Sequence, residues 1–260
     1  MSEASLGELR SLVGRVAVAA RYLDDFSLCW PTESCPEETF PAASVIKIGI
    51  MSCLLDGVRA GRMSLADKVT IAAHQQVGGA GVLLELEPER DFSLAELCRL
   101  MMVVSDNTAS NALVRHLGIE RLNAFWAQRG YDSTLRRYFM DPVVEGRDNH
   151  MTALGAAKML RDLYLGSGLD ENLRDFAVGC LRRQQYREKI PLMLPEKVIV
   201  GHKTGELDGV RHDAAVVEAE RPYILVVLTA QGSRQTWRVD QAIGQLSLNL
   251  YQTVHERIKA

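Results

Sequence analysis

Three short segments, far apart along the chain, constrain its fold more than anything else in it: Ser44-Val45-Ile46-Lys47, Ser105-Asp106-Asn107 and Lys203-Thr204-Gly205. Each is a weak signal alone. An S-x-x-K match arises by chance about once in a chain this long, S-D-N in roughly a few per cent of such chains, and K-[ST]-G in roughly one in eight. All three in this order, with 61 residues between the two serines and 98 from Ser105 to Lys203, is not a plausible accident. A fold that uses them must bring three distant stretches of backbone to one place.

The local patterning predicts the elements that carry them. Residues 5–12 read as a short amphipathic helix and 14–24 as a strand, with 26–30 as its hairpin partner. A Pro/Glu-rich connection then leads to Pro41. From Ser44 the apolar spacing is helical through Val45, Ile46, Ile48, Ile50, Met51, Leu54 and Leu55, with Gly57 and Gly61 as stops. Most of the chain to about residue 190 continues in this way. Ser93-Leu94-Ala95-Glu96 is a capping box opening a helix over 94–104, residues 107–117 form another closed by Gly118, and 152–165 a third closed by Gly166. From residue 191 the character changes. Residues 197–200 and 223–230 are β-branched apolar runs of strand length, with 211–218 between them. Val239, Ile243, Leu246, Leu250, Val254 and Ile258 then make a helical stripe. This order predicts an α/β (α+β) fold: a sheet domain from residues 1–40 and 191–260, an inserted all-α domain from 41–190, and a site in the cleft between them.

Ser44 and Lys47 would stand one turn apart on one helix face, with Ser44 at the N-terminus, where backbone N–H groups favour negative charge. A hydroxyl attacks only after something takes its proton. A lysine takes it only if burial or nearby positive charge lowers its pKa, and Lys203 is a source of such charge. Singly, the first two motifs read better as helix caps and surface residues, and the third serves equally as a strand ending at a glycine turn. Their concurrence decides.

Together the motifs closely resemble those of the class A β-lactamase family, within the serine β-lactamase and penicillin-binding protein superfamily. Phe40-Pro41-Ala42-Ala43, Gly79-Ala80-Gly81-Val82-Leu83 and Thr108-Ala109-Ser110-Asn111-Ala112-Leu113 extend the likeness, which covers the chain from about Gly14 onward. The resemblance implies an antiparallel five-stranded sheet with N- and C-terminal helices packed on it. It implies that Ser44 forms an acyl-enzyme with Lys47 as general base, and that Ser105 relays a proton to the leaving nitrogen. The N–H groups of Ser44 and Glu206 would make the oxyanion hole. Asn107 would hold an acylamino side chain, and Lys203 and Thr204 the substrate carboxylate. Gly205 would let the ligand approach the backbone, and Arg211 would reach the same carboxylate from the neighbouring strand.

The likeness breaks at one place. The family carries a loop glutamate, in an E-x-x-x-N arrangement, that positions the water for deacylation. Here Asp141 stands at the corresponding distance, 36 residues after Ser105, with Glu145 in place of the asparagine and a loop shorter than the family's. Aspartate is one methylene shorter, and base catalysis needs a reach of about 2.6–3.2 Å to the water. Asp141 is the expected deacylation base if the short loop carries it inward. Glu145 is a second candidate, and an ion pair of Asp141 with Arg136, Arg137 or Arg147 is the structural alternative. The expected function is a serine hydrolase that opens β-lactam amides. The rivals are a same-fold peptidase, esterase or amidase with a cytosolic substrate, and a penicillin-binding sensor that acylates without turnover.

Composition narrows the partners. A net charge of −3 leaves no electrostatic footprint for nucleic acid. The apolar stretch at 13–23 is interrupted by Arg15 and Arg21 and is too short to span a bilayer. The first fifteen residues lack a signal-peptide pattern, and the five cysteines have no metal-site spacing. The expectation is a cytoplasmic chain with reduced thiols, no cofactor and no metal, acting on a small carboxylate-bearing molecule. His202, His212 and Asp213 read as packing or hydrogen-bonding residues, because His212 and Asp213, adjacent on a strand, point to opposite faces.

Overall fold

The continuous apolar run at 223–230 becomes the strand on which the molecule is built, since only a strand covered on both faces favours such a run. A computed structural model describes residues 2–29, 34–144, 146–232 and 235–259, without the side chains of 2–4 and 257–259. In chain order the elements begin with α1 (Ser2–Leu12), β1 (Val13–Tyr22), β2 (Thr39–Pro41), a 3₁₀ turn over Ala43–Ile46 and α2 (Lys47–Arg59). The short hairpin pair β3 (Lys68–Ile71) and β4 (Arg90–Ser93) precedes α3 (Leu94–Val103), α4 (Asn107–Leu117) and α5 (Ile119–Arg129). Then come β5 (Ser133–Thr134), β6 (His150–Thr152), α6 (Ala153–Leu165) and α7 (Glu171–Arg182). The chain closes with β7 (Ile199–Leu207), β8 (Val210–Glu218), β9 (Tyr223–Gly232) and α8 (Thr236–Lys259).

The main sheet has the order β1-β9-β8-β7 and is antiparallel throughout. Alternation along each strand sorts its side chains into two cores. Val18, Ala20, Ala215, Val217, Leu225 and Val227 face α1 and α8, whose stripe of Leu6, Leu9, Val239, Ile243, Leu246 and Leu250 covers them. Ala17, Ala19, Ala214, Val216, Val226 and Leu228 face the helical layer. The segment expected as β1's hairpin partner, 26–30, makes one isolated bridge instead, Leu28 with Arg21; Ser34 further on bridges Val18, and residues 30–33 lie outside the described residues. The main sheet therefore shows four strands among the described residues.

In the helical layer α2 is buried on every side from Lys47 to Leu55, which places it at the centre. The Trp126 indole of α5 donates to Gly49 O at 3.0 Å. A Cβ on Gly49 would stand 2.8 Å from that nitrogen, so glycine permits the crossing. The helix runs through Gly57, where a stop was expected, and ends before Gly61, whose φ is +67°. The expected capping box of Ser93 and Glu96 opens α3, and Gly118 and Gly166 close α4 and α6 as expected, while Thr152 accepts the Gly155 N–H at 2.9 Å to open α6. All five cysteines are free thiols. Among the described residues no helix is long and apolar enough to cross a membrane, and no group of three His, Cys, Asp or Glu side chains is placed to hold a metal.

Candidate active site

The nucleophile candidate is presented by a strained entry. Ala43 has φ +46°, a left-handed conformation that costs an alanine free energy, immediately before Ser44. The strain is held from two sides. Ala42 N donates to Asn149 O at 2.8 Å, and His212, on β8, bonds Pro41 O at 2.7 Å through Nε2. The Thr229 N–H donates to His212 Nδ1 at 3.0 Å, which fixes the proton on Nε2. Burial holds His212 neutral, with its pKa lowered to about 4. The tight 3₁₀ turn therefore starts from an anchor on the sheet.

Lys47 follows one turn later and is wholly buried. Its Nζ donates to Ser105 O at 2.8 Å and Asn107 Oδ1 at 2.8 Å, and lies 3.2 Å from Ser105 Oγ. Lys203 Nζ, also wholly buried, reaches the same hydroxyl at 3.1 Å and donates to Thr204 O at 2.8 Å. Ser105 thus bridges two amines. Burial first, and the Lys203 charge second, hold the Lys47 pKa well below the usual lysine range. Burial brings Lys203 down to about 7, opposed by the Asp213 charge. The Ser44 hydroxyl has no hydrogen-bond partner among the described residues. It lines a cleft of about 370 Å³ with Ser105, Asn107, Thr204, Gly205 and Glu206.

Ser105 occupies a left-handed turn, φ +56°, between α3 and α4. Asp106 holds that turn by accepting from Val82 N (2.6 Å), Leu83 N (2.8 Å) and Ala109 N (2.8 Å). A Cβ on Gly81 would run into Asp106, which explains the glycine in the 79–83 segment. Asn107 Nδ2 donates to Gly78 O at 2.9 Å, so the same side chain joins Lys47 to the cleft's upper loop. Opposite, β7 is the edge strand of the sheet, and its free backbone groups border the cleft. A Cβ on Gly205 would lie 3.1 Å from Ser44 N, so only glycine leaves that amide room for a ligand.

Two expected site residues are not brought there. Arg211 does not line the cleft. It lies on the α8 side of the sheet, where its guanidinium forks onto Asp240 (2.8 and 2.5 Å) and meets Glu206 Oε2 at 2.8 Å. Its charge is thereby engaged away from any substrate carboxylate. Strand alternation explains this, because Arg211 and Glu206 are register partners whose side chains share the face opposite Lys203. Asp141 is exposed and also outside the cleft; its backbone carbonyl, not its carboxylate, accepts from Arg137 at 3.2 Å. Glu145 lies outside the described residues. Arg137 pairs instead with Asp148 at 2.8 Å, which cinches the short loop at its neck.

Sequence reasoning missed the loop residues that do reach the cleft, among them Phe139 and Met140. Phe139 lines it, and Lys47 Nζ stands 4.5 Å from the centre of its ring. Asn111, in α4, accepts from Phe139 N at 2.8 Å and donates to Phe139 O at 3.0 Å. The one available signal was Asn111 itself, a polar residue on the buried side of a helix. Asn149 braces the neck, accepting from Arg136 N and Arg137 N and donating to Arg137 O. Of the two histidines, His202 Nδ1 pairs with Asp213 Oδ1 at 3.0 Å beneath the sheet, and His212 points to the other face.

The family model described as "Beta-lactamase enzyme family" matches residues 8–254. The chain is 32% identical to β-lactamase CTX-M-8 of Citrobacter amalonaticus over 206 residues, which is 75% of this chain and 70% of that protein. It is 31% identical to β-lactamase OXY-2 of Klebsiella oxytoca over 211 residues, again 75% and 70% of the two chains. The crystal structure of a β-lactamase from Sphaerobacter thermophilus superimposes with a TM-score of 0.90 at 26% identity, covering 98% of this chain and 97% of that one. A penicillin G acyl-enzyme complex of mutant PBP-A shares the fold, with a TM-score of 0.84 at 24% identity over 98% and 97% of the chains.

Proposed function

Because this chain belongs to the β-lactamase enzyme family, serine hydrolases that act through an acyl-enzyme, we propose that its cleft opens β-lactam amides on Ser44. The relatives are β-lactamases, and the rival readings draw no support from them. One observation carries the assignment of roles: two buried lysines meet on a single serine hydroxyl. Ser105 O and Asn107 Oδ1 only accept, so Lys47 gives each a hydrogen. A neutral amine has two hydrogens and one lone pair, and that lone pair then faces Ser105 Oγ. In its neutral form Lys47 can act as a base, and burial favours that form over the cation.

In this reading Ser44 loses its proton to Lys47 as its oxygen attacks the lactam carbonyl. The proton passes through Ser105 Oγ to the leaving nitrogen, and Lys203 steadies the relay. The N–H groups of Ser44 and Glu206 receive the oxyanion, where the absence of a side chain at Gly205 leaves space. Asn107 holds an amide side chain of the substrate, and Thr204 holds its carboxylate with the buried Lys203 charge behind it. Arg211 has no direct part in that contact. It forms, with Lys189, Glu188, Glu206 and Asp240, a charge cluster that supports the end of β7.

The test is hydrolysis of a chromogenic β-lactam. Lys47→Ala and Ser105→Ala should each cost about a hundredfold or more in acylation, the usual size of a lost proton-transfer group. Acylation unchanged in both variants would remove the relay from the mechanism.

A further inference from the structure

The second half of the reaction needs a water to attack the Ser44 ester. Water adds to the acyl carbon, the bond to Ser44 Oγ breaks, and one proton from the water returns to Ser44 by way of a base. The resemblance implies a loop carboxylate for this task, and the loop residue that this chain holds against Lys47 is an aromatic ring.

Three facts place it. The Phe139 ring covers Lys47 Nζ from 4.5 Å, on the cleft side. Both backbone hydrogen-bonding groups of residue 139 are taken by the buried Asn111 amide, so the loop's register at this point is set by α4. The next acidic residue, Asp141, turns out to solvent. Among the described residues the carboxylates that line the cleft are already engaged: Asp148 with Arg137 at 2.8 Å, Glu188 with Lys189 at 3.0 Å and Glu206 with Lys189 at 2.6 Å. Asp106, the buried carboxylate nearest the relay in sequence, accepts from three backbone N–H groups.

We infer that Phe139 sets the lifetime of the acyl-enzyme: its ring, pinned by Asn111 against Lys47, stands where a water-activating carboxylate would act, so release from Ser44 is slower than acylation. The inference rests on the acyl-enzyme reading given above. It makes Phe139 the residue that separates a well-equipped acylation step from an unassisted hydrolytic one. An aromatic ring has no carboxylate to take a proton from water and no strong hydrogen-bonding group to orient it for attack.

The experiment follows penicillin G mixed with the full chain by time-resolved intact mass, alongside consumption of the β-lactam. Phe139→Glu, Phe139→Gln and Glu145→Gln are compared with wild type. The wild-type adduct should accumulate in a burst and decay slowly. Phe139→Glu should shorten its lifetime by about a hundredfold, the low end of a general base's effect. Phe139→Gln, equal in size but unable to take a proton, should leave the lifetime within about threefold of wild type, so the pair separates base chemistry from mere opening of the site. A pH profile of decay should gain a carboxylate limb only in Phe139→Glu. The inference is overturned if wild type turns over without adduct, if Glu and Gln act alike, or if Glu145→Gln lengthens the adduct's life. Absence of both adduct and β-lactam consumption would overturn the acyl-enzyme reading itself. Loss of acylation in both Phe139 variants would show the residue to be structural only, which also counts against it.

Discussion

The two sides of the cleft are built in different ways. On one side Ser44, Lys47, Ser105 and Lys203 belong to short motifs, and the second and third motifs also carry supporting residues. Asp106 holds the turn that displays Ser105, and Gly205 clears the space above the Ser44 amide. On the other side the loop from Arg136 to Asn149 has no such self-contained unit. Its position comes from Asn111, 28 residues upstream of Phe139, and from the Arg137–Asp148 pair at its neck. The reactive residues of the first side are therefore marked locally in the sequence, while the residue that the second side presents is decided by a tertiary contact.

The largest expected effect lies on the motif side. Ser44→Ala should abolish the covalent adduct and lower β-lactam hydrolysis by about a thousandfold or more, as loss of an activated nucleophile does. An adduct persisting in this variant, seen by intact mass, would move the nucleophile elsewhere and dissolve the contrast between the two sides.

Asn111→Ala probes the loop side. It orphans Phe139 N and O at a buried position, each at a cost of about 1–3 kcal/mol. Urea unfolding should show a loss of about 2–6 kcal/mol. The loop should also let go of Lys47, visible as a shifted pH dependence of acylation. An unchanged urea midpoint would mean that the loop holds its own register, as a motif does.

How much of this was legible follows the same division. The capping box at Ser93 and Glu96, the Gly166 stop and the apolar run of β9 were readable because each works within a few residues. The three motifs were readable for the same reason. Arg211 was misplaced because its partner, Asp240, is 29 residues further on in α8, and strand alternation alone does not say what the α8 side holds. Asp141 was chosen by counting 36 residues from Ser105, and counting fails where a loop is shortened. The Asn111 pin brings residue 139 to Lys47 and leaves residue 141 outside.

A smaller effect concerns Lys203. Burial lowers its pKa to about 7, so it is a cation below that pH and increasingly neutral above it. A cation holds a carboxylate better than an amine does. For a β-lactam carrying a carboxylate, kcat/KM should therefore fall as pH rises through about 7, through a rising KM. The methyl ester of the same compound should show no such limb. A matching limb for acid and ester would assign the titration to the proton relay instead.

The smallest effect is the sharpest check on the contrast. If Asp141 were the deacylation base, Asp141→Asn would keep the side chain's size and remove its proton-accepting ability, and release of the acyl group would slow by about a hundredfold or more. The structure puts that carboxylate in solvent, outside the cleft, with only its backbone carbonyl engaged. An exposed carboxylate of this kind contributes within about 0.5 kcal/mol to stability when changed. Both the acyl-enzyme lifetime and the urea midpoint of Asp141→Asn should therefore match wild type within error. A slowed release would show that the loop swings inward once Ser44 is acylated, carrying Asp141 past the point where Asn111 now holds its neighbour. The loop side would then be mobile where the motif side is rigid, and the two halves of the reaction would differ in dynamics as well as in how their residues are held.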